Sequence, residues 1–117
     1  MLRTKGEDMR RPRAIGYLRR DVSGIQQQWD ETRIRALAER LGYVLLKTVA
    51  FGATTADPVA RLAAVVRDPR IEAVVVPGLA HFGGRTPSEL LAVTAVVTVF
   101  PERFYARGVD FGADGLL

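Results

Sequence analysis

The hexapeptide IEAVVV, Ile71–Val76, decides the fold class of this 117-residue chain. A near-continuous apolar, β-branched run of that length marks a strand buried on both faces, which is how parallel sheets look in sequence. Parallel strands need crossover connections, usually helical, and the flanking residues supply them. Upstream, Asp57-Pro58 places a cap residue before a proline at the first helical position. Val59, Leu62, Ala63 and Val66 then share one helical face. Downstream, the loop PGLAHFGGR (77–85) leads to Thr86-Pro87-Ser88-Glu89, a capping-box signal, and into the almost wholly apolar run ELLAVTAVVTVF, Glu89–Phe100. That run is expected to be a helix without a polar face, covered by the core or by a second chain. Leu90, Leu91, Val93, Val96 and Val97 are therefore the candidate self-association residues.

The same alternation extends towards the start of the chain. Ala14–Leu18 (AIGYL) reads as a first strand. Gln26–Leu41 follows as a helix, with Ile34, Leu37, Ala38 and Leu41 at helical spacing and Gly42 as its stop. Tyr43–Phe51 is rich in strand formers, Gly52–Ala56 is a loop, and Arg103–Val109 reads as a last strand before the featureless tail GADGLL. The expectation is a three-layer α/β domain around a mostly parallel sheet of about four strands. It is expected over residues 14–117, without a C-terminal DNA-binding domain, preceded by a basic disordered arm at residues 1–13.

With 48% apolar and 26% charged residues, the chain has the composition of an ordinary globular domain with one core. No continuous apolar run reaches the roughly 18 residues of a membrane span. The polar start MLRTKGEDMRRPR lacks the apolar stretch of a secretion signal, so no membrane partner is expected. There is no cysteine, which removes disulfides and thiolate metal sites and makes a cytoplasmic setting the default. The net charge of +4 is uneven: Arg3, Lys5, Arg10, Arg11 and Arg13 face only Glu7 and Asp8, leaving 12 basic and 11 acidic residues elsewhere. An arm of this kind meets phosphates nonspecifically and in a salt-sensitive way, which makes nonspecific DNA its candidate partner. The plainer reading is a solubilising terminus.

In open α/β sheets, ligands gather outside the carboxyl ends of the strands. The loops expected there, Arg19–Gly24, Gly52–Ala56 and Pro77–Arg85, carry Arg19, Arg20, Asp21, Ser23, His81 and Arg85. Arginines around a hydroxyl suit a phosphate, because a guanidinium fork binds its oxygens in pairs. Each residue also has a plainer role. Ser23 with Gln26 three residues later fits a capping box, which spends the hydroxyl on helix amides. Arg19 and Arg20 beside Asp21 fit a solvated ion pair worth little. His81, the sole histidine, sits between Ala80 and Phe82 and is expected to be structural; no metal-ligand spacing converges around it. No GxGxxG or Walker pattern occurs, and Gly83-Gly84 lacks the Lys-Ser/Thr of a phosphate loop. Neither a metal nor a cofactor is expected.

In order and spacing these pieces resemble the catalytic domain of serine recombinases, the resolvase/invertase family of bacterial type, over roughly residues 14–109. Tyr17-Leu18-Arg19 stands where that family has the start of Y-x-R-V-S, Gln26–Gln28 where it has a Gln-rich helix start, and Ala36-Leu37 through Leu41-Gly42 at the helix end. Phe51-Gly52, Asp57-Pro58 and Leu79–Gly84 stand at its S-G loop, its D-R-P-x-L helix start and its L-D-R-L-G-R segment. The resemblance implies phosphodiester chemistry on DNA by a nucleophilic serine with arginines neutralising the phosphate.

The departures fall on the residues that such chemistry needs. The nucleophile's position falls on Asp21, and Ser23 takes the role only if two residues are inserted. Asp57 replaces the arginine before Pro58; Ala80, His81 and Gly84 replace an aspartate and two arginines, and Arg85 fills the last place only by a one-residue shift. Arg19 alone carries over unchanged. Losing one preorganised electrostatic donor costs about 100- to 1,000-fold in rate. The expectation is therefore a catalytically inactive domain that acts as a binding or regulatory module, self-associating as a homodimer or joining a protein partner. Two alternatives stay open in the sequence. One is a residual recombinase or phosphodiester-processing DNA enzyme with Ser23 as nucleophile and Arg19, Arg20 and Arg85 on the phosphate. The other is a binder of small anions or nucleotides at the strand-end crevice.

Overall fold

The computed structural model describes residues 11–108. Strands β1 (Arg13–Arg19), β2 (Val44–Phe51), β3 (Ile71–Val76), β4 (Ala95–Thr98) and β5 (Arg103–Tyr105) form one sheet in the order β2-β1-β3-β4-β5. The first four strands are parallel, and β5 runs antiparallel to β4 through the pairs Val96↔Tyr105 and Thr98↔Arg103. Helices α1 (Arg20–Ser23), α2 (Gln27–Arg40), α3 (Pro58–Val65) and α4 (Ser88–Leu91) connect them, with 3-10 turns at Gly24–Gln26 and Leu79–Phe82. Among the described residues no helix is long and apolar enough to cross a membrane.

The alternation of side chains along each strand divides the core into two. Ala14, Leu18, Ala73, Val75, Ala95 and Val97 face α2, where Ile34, Leu37 and Ala38 meet them. Ile15, Tyr17, Val74, Val76 and Val96 face the other way, against Leu62, Ala63 and Val66 from the α3 segment and Leu90 and Leu91 from α4. This two-sided burial is why IEAVVV carries almost no polar residue. Gly42 ends α2 as expected: at φ 89° it lets its own N–H reach the Glu39 carbonyl (3.1 Å) and the Tyr43 N–H reach that of Ala38 (2.9 Å). Such a left-handed stop favours glycine. Gly16 has a different reason to be glycine. A Cβ there would lie 2.5 Å from Thr48 Oγ1 and 2.9 Å from Ile34 Cγ2, so α2 and β2 close over a bare backbone.

Several expectations change. The sheet has five strands because the predicted helix over Glu89–Phe100 is two elements, the single turn α4 and the strand β4. A continuous apolar run does not distinguish a buried strand from a buried helix by periodicity. Here Val96, Val97 and Thr98 are β-branched, and all four residues of β4 are buried. Leu90, Leu91, Val96 and Val97 are therefore core residues at 2% exposure or less, and Val93 packs against the same core. They present no apolar helix face for self-association. The Thr86–Glu89 box makes no side-chain cap, since Pro87 occupies the cap position. Asp57 caps nothing either and adopts a left-handed φ of 49°, although Pro58 does start α3. The basic arm expected at residues 1–13 is shorter at its inner end: Arg13 opens β1, and Arg11 donates to the Gly42 and Tyr43 carbonyls (3.3 and 3.4 Å). The rest of that arm, and Val109 with the tail, lie outside the described residues. The last strand ends at Tyr105.

Two substitutions test this packing. Gly16→Ala forces a methyl into a closed contact and is expected to cost about 1–3 kcal/mol of stability, read as the denaturant midpoint. Leu90→Ala is expected to cost about 2–5 kcal/mol, by the same amount at every protein concentration. A loss that shrinks as concentration rises would place Leu90 at a subunit interface instead.

Candidate functional site

The chain leaves β1 towards β2 on one side and leaves β3 towards β4 on the other. The switch point of the sheet, where open α/β domains hold ligands, therefore lies between the carboxyl ends of β1 and β3. The β1–β3 ladder stops at Gly16↔Val75, so the last residues of β1 must find other partners on that side. One partner comes from the turn after β3. The backbone N–H of Arg19 donates to His81 Nδ1 at 2.9 Å. An accepting Nδ1 carries no proton, so the ring is neutral with its hydrogen on Nε2. His81 is buried, and burial pushes its pKa below the ordinary 6.5; Asp30 opposes that shift, Arg19 reinforces it and Asp21 opposes it.

Phe82, next in the same turn, stacks on Tyr17 with 5.1 Å between ring centroids and an 8° interplanar angle. Phe51 at the end of β2 meets the same ring edge-on at 6.0 Å. Tyr17 is fully buried, and its hydroxyl has no hydrogen-bond partner among the described residues. Burial raises its pKa, an effect that Arg19 counters and Asp21 adds to, so the phenol keeps its proton.

The charged groups of the crevice find their partners within the fold. Arg19 gives its fork to Asp21, Nε to Oδ1 at 3.1 Å and Nη2 to Oδ2 at 2.7 Å. With side chains 28% and 35% exposed, the pair adds little stability, but it occupies the Nε–Nη2 edge of the guanidinium and sets a carboxylate beside any phosphate that approaches it. Arg20 reaches the other way, and its Nη1 donates to the Ala50 carbonyl at 2.6 Å. Gly52 makes room for it, since a Cβ there would lie 2.8 Å from Arg20 Nη2. Ser23 is buried and does not cap its helix; its hydroxyl donates to Asp30 Oδ2 at 2.6 Å. This corrects the capping-box expectation. The cause is Gly24, whose φ of 58° breaks the chain between α1 and the 3-10 turn.

Of the residues singled out in the sequence, Arg19, Arg20, Asp21, Ser23 and His81 gather at this switch point. Arg85 ends the same loop but is exposed and makes no hydrogen bond or ion pair with any described residue. Two further residues belong to the site. Asp30 holds Ser23 and acts electrostatically on His81, and its visible signal is a carboxylate in the first turn of α2, where the helix dipole favours one. Tyr17 supplies the buried floor. Among the described residues no three carboxylate, histidine or cysteine groups converge as metal ligands. No family model and no curated protein sequence matches the chain.

The His81 bond gives a pH prediction. Its folded pKa lies below the unfolded one, so the unfolded chain takes up the extra proton first, and stability falls as pH drops below about 6.5. The melting temperature is expected to fall between about pH 7 and pH 5. In His81→Asn, whose side-chain oxygen still accepts from Arg19 but does not titrate, that part of the fall is expected to vanish. An unchanged pH profile in the variant would contradict the assignment.

Proposed function

We propose that this protein is a non-catalytic binding module on a serine-recombinase-like α/β scaffold, its strand-end crevice closed by its own side chains. The observation that carries this reading is the Arg19–Asp21 fork. Asp21 stands where the resemblance puts the nucleophile, and Arg19 is the single arginine that the resemblance carries over unshifted. Instead of a hydroxyl facing a phosphate held by arginine, a carboxylate occupies the arginine itself. An incoming phosphodiester has to displace a tethered anion and then sit beside it, at a repulsive distance.

The remaining crevice groups support the same reading. A serine that attacks phosphorus needs a base and arginines at the developing charge. Ser23 is buried with its hydroxyl on the Asp30 carboxylate, but among the described residues no arginine donates to it; Arg20 turns to a backbone carbonyl, and His81 accepts a backbone amide. Recognition then rests on surfaces other than the crevice, and nonspecific contact with DNA rests on the basic N-terminal residues Arg3, Lys5 and Arg10. Self-association through Leu90, Leu91, Val93, Val96 and Val97 is no part of this reading, because those residues fill the core.

Incubation with supercoiled DNA followed by a denaturing quench tests the proposal through the covalent protein–DNA adduct a serine recombinase forms. The expected result is no adduct and no nicked product, both for the wild-type chain and for Ser23→Ala. An adduct formed by the wild type and lost in Ser23→Ala would establish a residual recombinase and overturn the reading.

A further inference from the structure

The two faces of the sheet are covered unequally. Helices α3 and α4 pack on one face, whereas α2 is the only described helix on the other. Ala95 and Val97 of β4 are buried on that second face, but its β5 edge is left open at Phe104. There a groove of about 420 Å³ lies between the end of α2 and the β4–β5 pair, lined by Leu41, Tyr43, Val97, Glu102, Arg103 and Phe104. A smaller hollow of about 190 Å³ shares Glu102 and follows α2 along Arg33, Ala36 and Arg40. Apolar side chains stand exposed beside it, Phe104 at 60% and Leu41 at 41%. Trp29, also 60% exposed, lies under the Arg33 guanidinium at 6.0 Å. Exposed apolar side chains sharing one groove, as Phe104 and Leu41 do, mark an interaction site, and Trp and Arg are among the residues that most often anchor one.

The charges select the partner. Arg40 and Glu102 neutralise each other across the groove at 2.7 and 3.4 Å. Arg33 and Arg103, one in each part of the groove, have no carboxylate partner among the described residues. We infer that this groove docks an acidic amphipathic helix of a partner protein, its apolar residues on Phe104 and Leu41 and its carboxylates towards Arg33 and Arg103. A helix is the right occupant because an α/β sheet face is completed by helices, and the hollow between α2 and the β5 edge is covered by none of the described ones. A second copy fits less well: α2 is balanced, with Asp30, Glu31 and Glu39 against Arg33, Arg35 and Arg40, α3 carries only Arg61, and the one acidic helix, the single turn α4, has its leucines in the core. The groove shares no residue with the Arg19 crevice, so its failure and that of the non-catalytic reading are separable.

Trp29 is the only tryptophan in the chain and lies under Arg33, so its fluorescence reports on the Arg33 end of the groove without a label. The probe is a synthetic, tryptophan-free amphipathic helix with leucines at i, i+3, i+4 and i+7 and glutamates on its flanks. A peptide with the same leucines and lysine flanks is the control. The expected result is a blue shift of Trp29 emission with the acidic peptide and affinity about tenfold or more above the control. Phe104→Ser and, separately, Arg103→Glu are each expected to weaken binding by about tenfold or more with the melting temperature nearly unchanged, since both side chains are exposed. No binding of the acidic peptide, equal binding of both peptides, or indifference to both substitutions would overturn the inference. So would a concentration-dependent dimer in sedimentation that Phe104→Ser dissociates, which would assign the groove to a second copy.

Discussion

The hydrogen bond from the Arg19 amide to His81 Nδ1 holds the working end of this domain together. Strands β1 and β3 pair only as far as Gly16↔Val75, and beyond that point the sheet is open between them. An imidazole from the following turn closes the gap. It anchors the Leu79–Phe82 turn over the end of β1, brings Phe82 onto Tyr17, and fixes the backbone from which the Arg19 side chain departs. A buried amide left without an acceptor costs about 1–3 kcal/mol, so the neutral state of His81 is built into the fold at this point. Nothing in this role asks the ring to move a proton. Its imidazole does the work that a ladder partner does elsewhere in the sheet.

The charges around that bond follow from the same constraint. Arg19 leaves β1 at its end and the chain turns at once into α1, which places Asp21 within reach of its fork. The left-handed break at Gly24 then swings Ser23 away from the amides ahead of it and towards Asp30, in the first turn of α2. Arg20 crosses to the end of β2 and lies in the space that Gly52 leaves. The outcome is a strand-end crevice whose charged groups all turn to partners within the fold, in a position where other α/β domains hold a ligand. The exposed groove beside β4 and β5 has the opposite character: Leu41, Phe104 and two of its arginines are left for something else to cover.

How much of this could be read from residues alone depended on the range of the interaction. IEAVVV and the helix ending at Gly42 were legible because each carries a long pattern with one meaning, a double-sided strand and an amphipathic helix with a left-handed stop. The run from Glu89 to Phe100 was not, because an apolar stretch without alternation fits a buried helix and a buried strand equally; its β-branched Val96-Val97-Thr98 was the one cue for a strand. The crevice loops were placed correctly by strand order, yet the use of each side chain was hidden. Ser23 finds an acceptor seven residues away across a glycine break, and His81 finds a donor 62 residues away in the backbone. Capping rules describe the nearest few residues and are silent about both.

The closure of the crevice can be watched at Arg19 itself. The Nε–Hε resonance of Arg19, identified by its loss in Arg19→Lys, reports whether the guanidinium stays with Asp21. Titration with duplex DNA and with inorganic phosphate is predicted to leave that resonance unmoved while signals from the basic N-terminal residues shift with DNA. A saturable movement of the Arg19 resonance with either anion would show that the fork is open to phosphate, and would contradict a crevice closed by its own carboxylate.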